Sequence, residues 1–296
     1  MRHALAQIGF RVPDVDASAE HLSATLGLEV VEPDGDVVRL AFPDHSPCVN
    51  LKPDAEAALD YVGFVTSGPD LDVVVRRARG ASLTVDDGRQ FGDVRLYAPN
   101  RLAIEVRSGE PEPRNTRRRD AGPCVGSLDH VSLTAAELDA TVAFFVEILG
   151  FVVSDSVGEV RHWLRCGPNH HTVAVFAGGD RLQHYAFEAD DVRELASLGD
   201  VLALRGQNFL WGPGRHALGA NTFTYHLDPA GAVLELTCDM AQVPEEEEWV
   251  AQVWSPDTPA SAVMWGPMPP PGFREAGIPI FDHLATGEAD RARATT

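Results

Sequence analysis

The sequence predicts an α+β fold made of four βαβββ units, paired into two domains that each form a curved mixed sheet. The first observation behind this is a strand phrase that occurs four times: LAQIGF from Leu5, LDYVGF from Leu59, LDHVSL from Leu128 and LQHYAF from Leu182. Leu5 to Leu59 and Leu128 to Leu182 are both 54 residues apart, and each later copy lies 123 beyond its earlier counterpart. Self-similarity at fixed spacing marks a repeated supersecondary unit. The second observation is the pattern downstream of each phrase, helical at first and then a series of short strands.

Each phrase alternates apolar and other residues like a half-buried strand. The helix after the first phrase ends at Leu26-Gly27, and the helix after the third at Leu149-Gly150. A glycine there is free to take the left-handed C-terminal conformation. In the third unit Thr134 and Glu137 have capping-box spacing, with apolar residues beyond them at Leu138, Val142, Phe145 and Leu149. Strands are then expected at LEVVE, VVRLAF and CVNLK in the first unit, and at FVVSD, VRHWL and HTVAVF in the third. The second and fourth units fit less cleanly, with helices near 70–80 and 190–198. The expected organisation is an N-terminal domain over 1–110, a linker over 111–125, a C-terminal domain over 126–240 and a tail over 241–296. The tail contains Glu245 to Glu248, Pro269 to Pro271 and three tryptophans.

Composition narrows the function. The 296 residues suffice for two ordinary cores, and 44% hydrophobic with 23% charged residues is globular. A net charge of −20 argues against a nucleic-acid partner, whose phosphates require a basic surface. The one basic cluster, Arg114, Arg117, Arg118 and Arg119, lies in a Pro- and Gly-containing stretch and reads as solvated linker. No apolar run approaches the ~20 residues of a membrane span, and Met1 to Leu5 leads straight into the first strand phrase. Four scattered cysteines (Cys48, Cys124, Cys166, Cys238) form no CxxC pair. They read as reduced thiols of a cytoplasmic protein.

The third position of the phrase reads Gln7, Tyr61, His130 and His184. Only the second half therefore offers two imidazoles at equivalent places, and Glu235 adds a carboxylate on its closing strand. Two histidines and one carboxylate, with part of the coordination sphere open, form the facial triad of non-haem Fe(II) oxygenases. The matching residues of the first half, Gln7, Tyr61 and Glu105, predict no metal there. Any one of these histidines alone would more often be a satisfied core residue. Their placement in duplicated slots is what favours ligation.

His171, His216 and Tyr225 crowd the same half. Here the sequence resembles the type I extradiol ring-cleaving dioxygenases of the vicinal oxygen chelate superfamily. The resemblance runs over roughly residues 1–240 and rests on Gly214, His216, Tyr225, Asp228, Pro229, Gly231 and Glu235 at the family's spacing. Thr224 departs from it, where the signature has an apolar residue. The resemblance implies the glyoxalase/bleomycin resistance/extradiol dioxygenase fold, with His130, His184 and Glu235 as ligands of Fe(II), Mn(II) also suiting the set. It implies an acid–base role for His171, with His170 as competitor one residue away, and supporting hydrogen bonds from His216 and Tyr225. The implied substrates are a small aromatic diol of the catechol type and O2, the implied product a ring-opened semialdehyde, and the implied context aromatic hydrocarbon catabolism. A homo-oligomer is the expected assembly.

Two other readings stay open. A glyoxalase-like metal-dependent isomerase or lyase would use the same unit but usually a second carboxylate ligand. A non-catalytic small-molecule-binding protein of this superfamily would need no ligands at all. His3, His21, His45, His162, His226 and His283 fit no slot and read as structural or solvated. Trp254 and Trp265 are candidates to bring the tail over the site as a lid, or to pack it on the surface. Which catechol is used, and which residues bind it, is not written in the sequence.

Overall fold

The structure is a computed structural model that describes residues 2–88, 91–243, 249–257 and 263–285, without the side chains of 32–34. The expected Glu245 to Glu248 run lies outside the described residues.

Four βαβββ units succeed one another. The first is β1 (His3–Val12), α1 (Val15–Leu26), β2 (Glu29–Asp34), β3 (Val37–Ala41) and β4 (Val49–Pro53). The second is β5 (Ala58–Thr66), α2 (Gly68–Gly80), β6 (Asp86–Asp87), β7 (Val94–Tyr97) and β8 (Ala103–Ser108). The third is β9 (Val125–Ala135), α3 (Leu138–Ala143), β10 (Val152–Val157), β11 (Arg161–Arg165) and β12 (Val173–Ala177). The fourth is β13 (Arg181–Ala189), α4 (Val192–Leu204), β14 (Trp211–Arg215), β15 (Thr222–Leu227) and β16 (Val233–Cys238). The first two units share one mixed sheet, ordered β2-β3-β4-β1-β5-β8-β7-β6. The last two share another, ordered β14-β15-β16-β13-β9-β12-β11-β10. In each sheet the two strands carrying the repeated phrase pair antiparallel at the centre.

Local chemistry sets the helix ends. Asp14 caps α1 by accepting from the Ala17 amide at 2.9 Å, and Gly27 ends it at φ 75°. Ser67 and Asp191 cap α2 and α4 in the same way. The expected capping box at Thr134 does not form. Strand β9 runs on to Ala135, its ladder to β12 holding Thr134 opposite Phe176, and the Thr134 hydroxyl donates instead to the Gly179 carbonyl. The helix therefore starts later, and it continues as a π-helical turn over Phe144–Ile148 before Gly150 at φ 74°.

Strand alternation divides the two faces. Along β9, Val131, Leu133 and Ala135 join the main core, while His130, Ser132 and Thr134 face the opposite side. That core runs continuously through both halves, with ring contacts such as Phe10–Tyr185 (4.9 Å) and Phe64–Phe151 (5.5 Å) across the junction. The linker arginines are not simply solvated. Arg114 pairs with Glu188 and with Asp190 (3.0 Å), and Arg119 donates to the last carbonyls of α1, Ser23 and Ala24. They tie one half to the other, while Arg117 and Arg118 stay exposed. All four cysteines are free and buried. No helix of the described residues is long and apolar enough to cross a membrane.

The tail runs back over both halves. Strand β17 (Gln252–Trp254) adds in parallel to β10, and β18 (Ile278–Pro279) pairs with the start of β13. Gly277 makes that second approach possible. At φ 107°, a Cβ there would lie 2.0 Å from the Leu182 carbonyl oxygen.

Candidate metal centre

Register explains why the predicted residues meet. His130 on β9 lies opposite Ala186 on β13, Ala186 opposite Glu235 on β16, and Glu235 opposite Tyr225 on β15. His184 stands two residues before Ala186, hence on the same face. The Nε2 atoms of His130 and His184 are 3.1 Å apart and lie 3.0 and 3.1 Å from Glu235 Oε2. All three residues are buried, and they form a group whose ligand atoms converge closely enough to hold one metal ion.

The donor set fits a divalent cation. Glu235 Oε2 is buried with no aligned hydrogen bond, although both imidazole nitrogens are close. Burial disfavours charge on His130, but Glu235 and Asp129 outweigh it and push its pKa up to about 10. Burial, opposed by Glu235, brings His184 down to about 4. Burial would also raise the Glu235 pKa, yet the imidazoles hold it well below the usual carboxylate range. The carboxylate thus demands a positive charge beside it, and a divalent cation can supply that by displacing the His130 proton.

Each imidazole is oriented by its other nitrogen, as metal-binding histidines usually are. His130 Nδ1 is 2.6 Å from Asp129 Oδ2, and Asn169 donates to the other Asp129 oxygen at 3.0 Å. His184 Nδ1 bonds the Gln183 side-chain oxygen, while the Gln183 amide donates to the Phe273 carbonyl at 2.9 Å. Asn221 donates to Glu235 Oε1 at 3.1 Å. Sequence reasoning does not single out Asp129, Gln183 or Asn221. A signal exists for the first two, since a polar residue precedes each of the paired histidines in LDH and LQH.

A cavity of about 320 Å³ opens on the cluster, with His171, His216 and Tyr225 in its wall. The His171 ring is 4.6 Å from that of His130. It sits just before β12 rather than in it, and His170 turns away to Asp155 (3.4 Å) and Trp249. Burial, reinforced by His130 and His170, holds the His171 pKa well below its ordinary value, so the ring is neutral. His216 Nε2 lies 2.9 Å from the Tyr225 hydroxyl, and burial keeps that phenol protonated. Tyr225 is clamped between Trp211, stacked at 5.1 Å, and Phe273.

The tail does reach the cavity, through Pro256, Pro269, Phe273 and Arg274. The two tryptophans expected there do something else. Trp254 donates to Asp155 at 3.1 Å, and Trp265 bridges to Arg215 with half its surface exposed. Short apolar segments such as Pro-Gly-Phe give no sequence signal that distinguishes a cavity wall from surface packing.

Residues 127–236 match the family model of the Glyoxalase/Bleomycin resistance protein/Dioxygenase superfamily. Among its curated relatives, metapyrocatechase 2 of Cupriavidus necator is 25% identical over 92% of this chain and 91% of its own length. The manganese-dependent 2,3-dihydroxybiphenyl 1,2-dioxygenase of Geobacillus genomosp. 3 is 24% identical over 90% and 94%. Among solved structures, the Mn(II)-bound glyoxalase from Novosphingobium aromaticivorans superposes with a TM-score of 0.80 at 27% identity, covering 90% of this chain and 92% of that one. The relatives are thus extradiol dioxygenases at low identity, and the fold is shared more widely.

Proposed function

We propose that this chain is an extradiol dioxygenase that opens the ring of a catecholic substrate with O2, yielding a semialdehyde. In this reading His130, His184 and Glu235 hold one Fe(II) or Mn(II), and the N-terminal half holds none. The observation that carries it is the convergence of His171 and the His216–Tyr225 pair on the cavity that opens at the three-residue cluster. An isomerase of the same fold does not need those three groups together. When bound, the divalent metal supplies a Lewis-acid centre that lowers the pKa of a catechol hydroxyl.

The protein's own groups do the rest. His171, neutral and facing the cavity, takes a proton from the substrate and later returns it. Its lowered basicity keeps it unprotonated in the resting enzyme, ready to accept. Tyr225 donates a hydrogen bond toward the substrate oxygen on which charge builds, with His216 fixing the orientation of the hydroxyl. Trp211 and Phe273 exclude water and hold the ring plane. The domain division at about residues 110 and 126, a cytoplasmic setting and homo-oligomeric assembly belong to the same proposal.

The test is anaerobic addition of catechol and of 2,3-dihydroxybiphenyl to iron- or manganese-loaded protein, with air admitted afterwards. A yellow ring-cleavage product is expected with at least one of them. Loaded protein that opens no catechol, yet isomerises a 2-oxoaldehyde thiol adduct, would favour the reading suggested by the Novosphingobium glyoxalase.

A further inference from the structure

A chain of polar groups leads from His171 away from the cavity. His171 Nδ1 lies 3.2 Å from His170 Nδ1, and His170 Nε2 lies 3.4 Å from Asp155 Oδ2 on β10. All three residues are buried. The tail strand β17 holds Asp155 from the other side: the Gln252 amide donates to Oδ1 at 2.9 Å and the Trp254 indole to Oδ2 at 3.1 Å. Burial would raise the Asp155 pKa, yet His170, Gln252 and Trp254 hold it below the ordinary carboxylate value. Asp155 is therefore an anion that can only accept. The two imidazoles are packed in place. The Trp249 ring stands edge-on to His170 at 5.4 Å, and Gly219, at φ 75°, passes so close that a Cβ would lie 3.3 Å from His170 Nδ1.

Such a chain fixes the tautomers one nitrogen at a time. The carboxylate facing His170 Nε2 favours a proton there over a lone pair, which leaves His170 Nδ1 bare. Two bare nitrogens cannot bond each other. A neutral His171 therefore carries its one proton on Nδ1 and donates it to His170. Among the described residues the His171 ring makes no other hydrogen bond, so the free lone pair is on Nε2 of a ring that lines the cavity. Resting on the acid–base reading of His171 above, we infer that Asp155 and His170 are positioning residues. They hold His171 in its Nδ1–H tautomer and so leave Nε2 as the free base in the cavity wall. Neither belongs to that wall, and both act through His171. The tail reaches the chemistry by the same route, because β17 supplies two of the three donors around Asp155.

The experiment uses zinc-loaded full-length protein with isotope-labelled histidine, in which long-range proton–nitrogen spectra separate protonated from bare ring nitrogens. The His171 signals are those lost in His171→Ala. In the unmodified protein His171 should be protonated on Nδ1 and bare on Nε2. His170→Phe keeps a ring against Trp249 but removes the acceptor, and should shift the His171 proton toward Nε2. In iron- or manganese-loaded protein the same change should lower kcat on catechol at least about tenfold, with KM within about twofold, since proton transfer and not binding is impaired. His170→Asn places an oxygen acceptor where Nδ1 stood, and should restore the tautomer and most of kcat. A proton on His171 Nε2 in the unmodified protein, as a doubly protonated His170 would produce, overturns the assignment. So does a tautomer that His170→Phe leaves unchanged. A His170→Asn variant that falls as far as His170→Phe also overturns it, because the loss would then be one of packing. If catechol is opened by protein whose His171 carries its proton on Nε2, the positioning role falls and the dioxygenase reading stands. If the tautomer depends on His170 and no catechol is opened, the dioxygenase reading falls and the control of the tautomer stands.

Discussion

The two halves present the same row of positions across their central strands and fill it with different chemistry. In the C-terminal half the row runs His130, Ala186, Glu235, Tyr225; in the N-terminal half it runs Gln7, Gly63, Glu105, Arg95. Both contain a fully buried carboxylate that needs a positive charge. In the first half Arg95 supplies it, at 2.6 and 2.8 Å from Glu105, and the amides of Phe91 and Gly92 donate to the other oxygen. In the second half the position of Arg95 is taken by neutral Tyr225, and Glu235 is left to the imidazoles. Charge also governs space. Tyr61 fills the first concave face, its hydroxyl bonded to Gln7 and Asn50, and Gly9 must be glycine because a Cβ would stand 2.1 Å from the Tyr61 ring. The equivalent of Gly9 is Ser132, which borders the open cavity. One frame thus becomes either a sealed core or a site, according to whether its carboxylate finds a cation within the chain.

The largest effect should come from Glu235, the carboxylate that faces imidazoles where Glu105 faces a guanidinium. Glu235→Ala should abolish metal binding and ring cleavage together, while the intact protein should bind about one equivalent per chain by metal analysis. Metal retained by Glu235→Ala, or close to two equivalents in the unmodified protein, would break the contrast between the halves.

Next comes His171, whose counterpart in the first half is Pro47, a residue with no proton to give. His171→Ala should keep the metal and lose roughly 10²–10⁴-fold in turnover, the usual contribution of a general acid–base group. His170→Ala should cost less, since its ring points to Asp155 outside the cavity wall. The reverse order would exchange their roles.

The sealed half can be opened from the other direction. Arg95→Met should remove the guanidinium that Glu105 faces in the core and destabilise the protein by about 3–5 kcal/mol in urea unfolding. Adding Glu105→Gln removes the charge and keeps an acceptor for the Phe91 and Gly92 amides, so the double variant should recover most of the loss. If it is no more stable than Arg95→Met, the pair is not what holds this half shut.

The phrase repeat and its histidines are legible because β-strand period and duplication are local properties that sequence preserves. The four-unit order comes directly from them. The features that are not legible depend on contacts between distant segments. Thr134 looks like a helix cap until the ladder with β12 keeps it in a strand. Arg114 and Arg119 look solvated until Glu188 and the end of α1 come within reach. Arg161 lies inside the strand phrase VRHWL, where nothing in the sequence marks a cavity. Only the returning tail, with Phe273 and Arg274, makes it part of a cavity.

The smallest expected effect concerns the seam between the halves. His21 on α1 meets His226 on β15, Nε2 to Nε2 at 3.1 Å, both rings buried and neither Nδ1 bonded. Such a pair keeps its hydrogen bond only while one ring accepts, so at least one must be neutral, and burial disfavours charge on either. Burial lowers His21 to about 4, helped by Arg205 and opposed by Glu20, and lowers His226 to about 3. Both folded-state values lie below the unfolded value near 6.5. The unfolded chain therefore binds more protons in this window, and stability falls as pH drops from about 6.5 toward 4. Above 6.5 the pair contributes no pH dependence. A loss of roughly 2–3 kcal/mol by pH 4 is expected from this pair, because one pKa unit is worth about 1.4 kcal/mol and coupling limits the sum. His21→Asn with His226→Leu should flatten the urea midpoint between pH 6.5 and 4.5 relative to the unmodified protein, with no change in metal content at pH 7.5. An unaltered slope would assign the acid sensitivity to the histidines that line the cavity instead of to the seam.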